Sequence, residues 1–162
     1  MFEIGDYVIY KKDVCKIVKR KNKYLNEMDY YVLISLEDNS LTIEVPINNT
    51  SLRKPKTKEE VEQIIKQIPF IPTLNMNEKN LENEYKNLLN SENIIDLIKI
   101  IKTTYPRNQE SLENKKKISD KDNYYFEKAE KYLYNEFSIV LNKTYEDTKQ
   151  YIIEKVLDLK NV

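Results

Sequence analysis

The 162-residue sequence contains one glycine and one cysteine, and it has neither histidine nor tryptophan. Without histidine it lacks the commonest general base and metal ligand, and one cysteine supplies neither a zinc site nor an intramolecular disulfide. A single glycine also excludes the glycine-rich loops that bind nucleotide phosphates, because those loops need several positions without a Cβ atom. We therefore predict a binding protein and not an enzyme, with no catalytic residue, no cofactor and no metal. A hydrolase built on paired carboxylates is the remaining enzymatic alternative, but the sequence singles out no such pair.

Strong net charge and long apolar runs are also missing. The chain has 27 basic and 27 acidic residues, so no overall field attracts it to nucleic acid or to an anionic membrane. No apolar run approaches the ~18 residues that a membrane span requires, and Glu3 and Asp6 interrupt any signal peptide. These features predict a soluble, cytoplasmic, monomeric protein that does not contact a membrane.

The first 55 residues have the composition of short β-strands. Gly5 and Asp6 form a turn-prone pair ahead of YVIY (7–10), and segments 14–20, 30–36 and 40–46 are rich in Val, Ile, Tyr and Thr. EDNS (37–40) is typical of a tight hairpin. Strands this short in about fifty residues predict a small SH3- or Tudor-like barrel over residues 1–55.

After Pro55 the apolar residues take a helical period. TKEEVEQIIKQI (57–68) starts with the capping box Thr57–Glu60, and later helices are expected to start at Ser91, at Ser119 and near Thr144. We expect the helix over 92–105 to be the most buried, and we interpret PRNQESLENKKKI (106–118) as a polar loop. The sequence thus predicts an α+β fold, with a β domain over 1–55 and a bundle of about five helices over 56–162.

Two surfaces are candidates for binding. Leu41–Pro46 alternates polar and apolar residues and ends in proline, which fits either an edge strand that recruits a partner strand or an interior strand of the barrel. Lysines cluster at 115–117 and continue with Lys121, Lys128 and Lys131 on the following helix, which indicates an anion-binding surface or simply a solvated one. Tyr124 and Tyr125 offer rings for base stacking, although Tyr125 lies on the apolar stripe and is expected in the core.

The chain contains, in order, FEIGDYVIY, YYVL and TIEVP, and then helices with SENIIDLIKIIK and KISDKDNYYFEKAEKYLYNEFSIVL. This arrangement, which covers nearly the whole chain, resembles the CarD/CdnL family of bacterial transcription regulators. The resemblance implies a Tudor-like domain that extends a sheet of the RNA polymerase β subunit, and a helical domain that contacts promoter DNA and stabilises the open complex. Weak DNA affinity suffices in that arrangement, because polymerase delivers the protein to the DNA at high effective concentration.

The resemblance and the pattern of lysines together assign residues to both partners. The polymerase-binding residues are Lys23, Thr42, Ile43, Glu44, Val45 and Pro46. The DNA-binding residues are Lys79, Lys86, Lys115, Lys116, Lys117, Lys121 and Lys128. Family members place a tryptophan wedge beside the melted base step, and this chain has none. Polymerase binding is therefore better supported than the wedge, and the alternative is a Tudor-like protein-binding module whose helices act only as a scaffold.

Overall fold

Residues 1–160 of the computed structural model are described, and they form an antiparallel sheet followed by helices. The strands are β1 (Tyr7–Tyr10), β2 (Asp13–Leu25), β3 (Met28–Ser35), β4 (Thr42–Pro46) and β5 (Leu52–Arg53). The helices are α1 (Lys58–Gln67), α2 (Glu78–Asn90), α3 (Ile94–Glu113), α4 (Asp120–Leu141) and α5 (Tyr145–Lys160), with a 3₁₀ turn at Ile68–Phe70 after α1. The predicted α+β organisation is confirmed.

The sheet has the strand order β4-β3-β2-β1-β5 and is open, because β4 and β5 do not pair with each other. Its first strand begins where the sequence indicates. Gly5 has a φ of +96° and donates its N–H to the Ile17 carbonyl at 2.7 Å, while the Asp6 carboxylate accepts the Glu3 N–H. Such a φ is unfavourable for a residue with a Cβ atom, which explains why the lone glycine stands at this turn.

The other tight turns manage without glycine. Lys11 and Lys12 join β1 to β2, and Asn26 and Glu27 join β2 to β3, each with positive φ. Positive φ at both central residues is the signature of the two-residue hairpin turn whose twist matches that of the flanking strands. The hairpin turns therefore form without glycine, but their residues adopt left-handed dihedrals that cost conformational free energy.

A β-bulge in β2 changes which side chains share a face. Ile17 pairs with Leu33 and Lys19 pairs with Val32, so Val18 is an extra residue between them. Side chains alternate between faces in a regular strand, and one inserted residue reverses that alternation from there onward. Lys16 and Lys19, three residues apart, consequently lie on the same face.

Helix starts follow local capping. The capping box Thr57–Glu60 is present, Ser119 accepts the Asp122 N–H, and Thr144 accepts the Asp147 N–H, as predicted. Ser91 does not cap α3. Its hydroxyl accepts the Asn93 N–H, and Asn93 is the cap, accepting the N–H of Ile95.

Two other helix predictions are wrong. Residues 106–113 are the last turns of α3 and not a loop, with Pro106 inside the helix and Asn108 buried. A proline interior to a helix is tolerated when packing of the rest of the helix outweighs the lost hydrogen bond. The most buried helix is α4, with nine buried residues against seven in α3, because α4 packs against α3, α5 and the sheet.

Two apolar cores form. The sheet encloses Val8, Cys15, Ile17, Tyr31, Leu33 and Val45. The helices enclose a larger core that includes Val61, Ile65, Leu81, Tyr85, Ile100, Leu133 and Phe137. The two clusters share no residue, and Ile9 and Val14 are buried on the other face of β1 and β2 without belonging to either cluster.

Candidate functional site

The β4 strand lies at one edge of the sheet, which decides between the two interpretations of this segment. It pairs with β3 alone, from Thr42 opposite Ile34 to Pro46 opposite Tyr30. The opposite edge strand, β5, has only two residues. An edge strand presents N–H and C=O groups without partners, so β4 offers the longer template for strand addition.

The side chains of β4 divide between core and solvent. Val45 is buried and Ile43 packs partly against the sheet core, whereas Thr42 and Glu44 are exposed on the other face. Leu41, just before the strand, is half exposed. Partner chains that add to this edge would therefore meet a polar row flanked by one apolar side chain.

Glu44 is held by the neighbouring strand. Lys21 donates a hydrogen bond to its carboxylate, and this bond keeps the pKa of Glu44 below its usual value. The Lys21 ammonium also lies 4.2 Å from the centre of the Tyr24 ring. Lys23, assigned to the same surface, lies instead at the β2–β3 hairpin tip, where its N–H bonds to the Asp29 carboxylate at 2.9 Å.

The lysines at 115–117 follow the end of α3. Lys115 has a φ of 55° and donates its N–H to Leu112, and Lys116 donates to Ser111 at 2.8 Å, which together close the helix as a Schellman motif. All three side chains are exposed, and Lys117 lies 3.5 Å from the Asp120 carboxylate. This turn displays three cations at one end of the helical bundle.

Glu78 brings further cations to that end. Its carboxylate pairs with Lys121 at 3.0 Å and with Arg107, and these hydrogen bonds hold the pKa of Glu78 below its usual value. Arg107 also bonds to Asp122 at 2.9 Å, and Tyr85 donates its hydroxyl to the same buried carboxylate. Burial and that hydrogen bond raise the pKa of Tyr85.

The assigned lysines do not all meet. Lys79 is adjacent to Glu78, so it lies near Lys121, and Lys86 follows two helical turns along α2. Lys128 lies elsewhere, in a cavity of about 320 Å³ between α4 and the sheet, with its ammonium 5.8 Å from the Tyr124 ring. Asp13 lines the same cavity, and burial raises its pKa. Tyr125 is buried, as expected, and Tyr124 is half exposed.

A third group of residues joins the sheet to the helices, and no sequence motif predicts it. Arg53 of β5 donates two hydrogen bonds, at 2.8 and 2.7 Å, to the buried Glu136 carboxylate of α4. The Lys56 N–H donates to the same carboxylate at 2.9 Å. One sequence feature could have indicated this contact. Glu136 is an acidic residue beside Leu133 and Phe137 on the apolar stripe of its helix.

A cleft of about 360 Å³ lies along this junction. It is lined by Ile9, Lys11, Lys12, Arg53, Glu92 and Tyr132, among others. Lys12 donates to the Ser91 carbonyl, and burial lowers the pKa of its ammonium. Cys15 is buried in the sheet core, and burial raises the pKa of its thiol to about 11, so it packs as an apolar residue.

Within residues 1–160, no group of three or more Asp, Glu, His or Cys side chains is placed to hold a metal ion. None of the helices in that range combines the length and apolar character needed to cross a membrane. No protein-family model matches the chain, and no curated protein matches its sequence.

Proposed function

We propose that this chain is a regulator of bacterial transcription of the CarD/CdnL type. In this proposal β4 adds to a sheet of the RNA polymerase β subunit, and the helical bundle makes weak contacts with promoter DNA that stabilise the open complex. The observation that carries it is the free edge of β4, because strand addition needs an unpaired backbone and the segment TIEVP supplies one.

A small SH3- or Tudor-like barrel is part of the same proposal. The support is that the first four strands form an antiparallel meander and that the chain then returns from β4 to pair β5 with β1. The pairing of β5 also leaves β4 as the outer strand. The strand order places β4 at the edge opposite β5, whose Arg53 contacts Glu136 of the helices.

Charge supports a limited DNA contact. Lys79, Lys115, Lys116, Lys117 and Lys121 gather at one end of the bundle, but Glu78 and Asp120 pair with two of them. Few phosphates would then be neutralised, so binding to free DNA should be weak and should be lost at modest salt. Polymerase would supply the local concentration.

The first test is binding of the full chain to a purified lobe of the polymerase β subunit. Thr42→Lys with Glu44→Lys places lysines on the edge, which blocks strand addition, and should weaken binding by about tenfold or more. Thr73→Lys with Glu82→Lys makes the same change of charge at exposed positions away from β4 and should leave binding intact. Absence of binding by the native chain, or equal loss with both pairs, would overturn the proposal.

The second test is the lifetime of a promoter open complex with and without the protein. Lys116→Glu should shorten that lifetime and leave lobe binding unchanged, because Lys116 is exposed and belongs to the turn after α3 and not to β4. The ion pairs of Lys117 and Lys121 favour the alternative, a protein-binding module whose helices are a scaffold. An unchanged lifetime with Lys115→Glu and Lys116→Glu together, with lobe binding retained, would select that alternative.

A further inference from the structure

The outer face of the sheet carries a row of lysines that the β-bulge creates. Lys16, Lys19 and Lys21 of β2 lie opposite Ile34, Val32 and Tyr30 of β3. Those three residues alternate along β3 with Tyr31 and Leu33, which point into the sheet core. The three lysines, called the lysine row below, therefore share the face opposite the core.

The spacing in the row is regular. Successive lysines are offset by two residues of β3, which is about 7 Å at the rise of an antiparallel strand. That separation is comparable to the distance between successive phosphates along an extended nucleic acid strand. Lys16 and Lys19 are exposed and Lys21 is partly so.

Tyrosines flank the row on the same face. Tyr7 pairs across the strands with Lys16, whose ammonium lies 5.6 Å from the ring centre. Tyr24 lies at the other end, next to Lys21 and 5.7 Å from the Tyr30 ring. Tyr7 is 38% and Tyr24 43% exposed, so both rings are accessible.

We propose that this outer sheet face binds single-stranded nucleic acid, with phosphates on the lysine row and bases on Tyr7 and Tyr24. Sheet faces that combine cations with aromatic rings suit single strands, because unstacked bases can lie on the rings while the backbone follows the charges. An acidic peptide would use the lysines but has no need of the rings. Glu44, which pairs with Lys21 on this face, reduces the field and limits the affinity.

This surface adjoins the proposed polymerase contact at Glu44, which pairs with Lys21, but it relies on other groups. It uses the face of β2 and not the backbone edge of β4, and it shares no lysine with the helical surface. Within β2, the stretch KIVKRKNK (16–23) has five basic residues and no acidic one. Arg20 does not belong to the row, since it lies opposite Tyr31 and bonds to Asp29.

The test is fluorescence anisotropy of the full chain with a labelled single-stranded oligo(dT) at about 50 mM salt, followed by a salt titration. Lys16→Gln with Lys19→Gln should weaken binding about tenfold and should lower the salt slope by about 1.4, the value for two phosphates on a single strand. Lys58→Gln with Lys66→Gln removes the same charge from exposed positions on α1, outside every surface assigned to nucleic acid, and should have little effect. Equal or larger loss with that control pair would overturn the inference.

A second pair of variants separates stacking from charge. Tyr7→Ala should weaken oligo(dT) binding, whereas Tyr105→Ala, at a similarly exposed tyrosine on α3, should not. Labelled poly-glutamate that binds as tightly as oligo(dT), with no effect of Tyr7→Ala, would show an acidic-peptide surface and overturn the inference. Absence of oligo(dT) binding by the native chain would also overturn the inference. Urea midpoints establish that each variant is folded before its binding is compared.

The two proposals can fail separately. Loss of polymerase-lobe binding as a whole would leave the oligo(dT) result untouched. Lys16→Gln with Lys19→Gln should not alter lobe binding, because neither lysine belongs to β4 or pairs with Glu44 directly.

Discussion

Glu136 shows how one residue can determine the position of two parts of a fold. Its side chain is 2% exposed and accepts both guanidinium hydrogen bonds of Arg53 and the N–H of Lys56. Burying a carboxylate costs free energy unless charge-assisted hydrogen bonds compensate. Here the three donors belong to Arg53 at the end of β5 and to Lys56 just before α1, so Glu136 fixes the sheet against α4.

Replacing Glu136 with alanine should lower the free energy of unfolding by roughly 2 kcal/mol. The estimate allows for loss of a buried ion pair and for the 39% exposure of the Arg53 side chain, which water can still solvate. Urea denaturation measures the change. Glu127→Ala on the exposed side of α4 is the matched control, and it should stay within about 0.5 kcal/mol. An equal effect of both variants would show that Glu136 contributes nothing beyond helix propensity.

Because glycine is scarce, some turn residues with a Cβ atom adopt positive φ and reduce the stability of the fold. Glu27 has a φ of 61° at an exposed hairpin turn, a conformation that glycine adopts without the steric penalty.

We expect Glu27→Gly to raise the free energy of unfolding by about 0.5–1 kcal/mol. Glu82→Gly, in the interior of α2 with ordinary helical dihedrals, should lower it by about 1 kcal/mol. Thermal and urea unfolding of the two variants would check the opposite signs. A loss of stability with Glu27→Gly would mean that the turn does not carry the strain inferred from its φ.

At the scale of elements, α3 contains Pro106, which predicts the end of a helix from sequence. In the structure the helix continues past it. Pro106 lacks an N–H and its ring crowds the preceding turn, yet α3 continues to Glu113. Buried Thr103, Thr104 and Asn108 surround it in sequence, so packing holds both sides of the proline in place.

Pro106→Ala should therefore stabilise the protein by roughly 1–3 kcal/mol, since it restores a helical hydrogen bond. Pro72→Ala, in the extended connector before α2, should instead destabilise it slightly, by about 0.4–1 kcal/mol, because the unfolded chain gains freedom. Urea midpoints and helical circular dichroism compare the two. Destabilisation by Pro106→Ala would indicate that the packing of α3 requires a bend there.

Elements set by local chemistry were predictable, and those set by distant partners were not. Thr57 and Ser119 cap their helices through residues three positions away, and Pro46 ends β4, so the sequence suffices at these points. The length of α3 past Pro106 depends on packing with α4, which no local pattern contains.

The candidate surfaces divide in the same way. The polar and apolar alternation of β4 predicted a strand, but its place at the sheet edge depends on which strands pair. The pairing of Lys121 with Glu78 joins α4 to α2, and the lysine row depends on a bulge that reverses the strand's alternation. The ion pair and the lysine row therefore depend on which segments lie side by side in the fold, and the local sequence does not contain that information.

At the scale of the whole molecule, carboxylates with lowered pKa predict loss of stability in acid. Hydrogen bonds from Arg107 and Lys121 lower the pKa of Glu78, and hydrogen bonds from Arg20 and the Lys23 N–H lower that of Asp29. The unfolded chain then binds protons more readily than the folded one, so the contribution to stability is present above the unfolded pKa and is lost as pH falls. Asp13, whose pKa burial raises, opposes this trend.

The urea concentration at the unfolding midpoint should therefore decrease as the pH is lowered from about 5 to about 3. Glu78→Gln should lower the midpoint at pH 6 and make the decline with acid shallower. Glu82→Gln, exposed on the same helix, should change neither. A midpoint that rises toward pH 3 in the native chain would contradict the assignment of these carboxylates.

The two edges of the sheet are unequal, and that inequality bears on how copies of the chain can assemble. Open-ended fibrils grow when every subunit offers two complementary edges, one for the subunit before it and one for the subunit after it. In residues 1–160, β4 is the one long edge, while β5 has two residues and its Arg53 is committed to α4. Edge-to-edge association through β4 therefore ends when two β4 strands meet, and it yields a pair of molecules instead of a growing fibril.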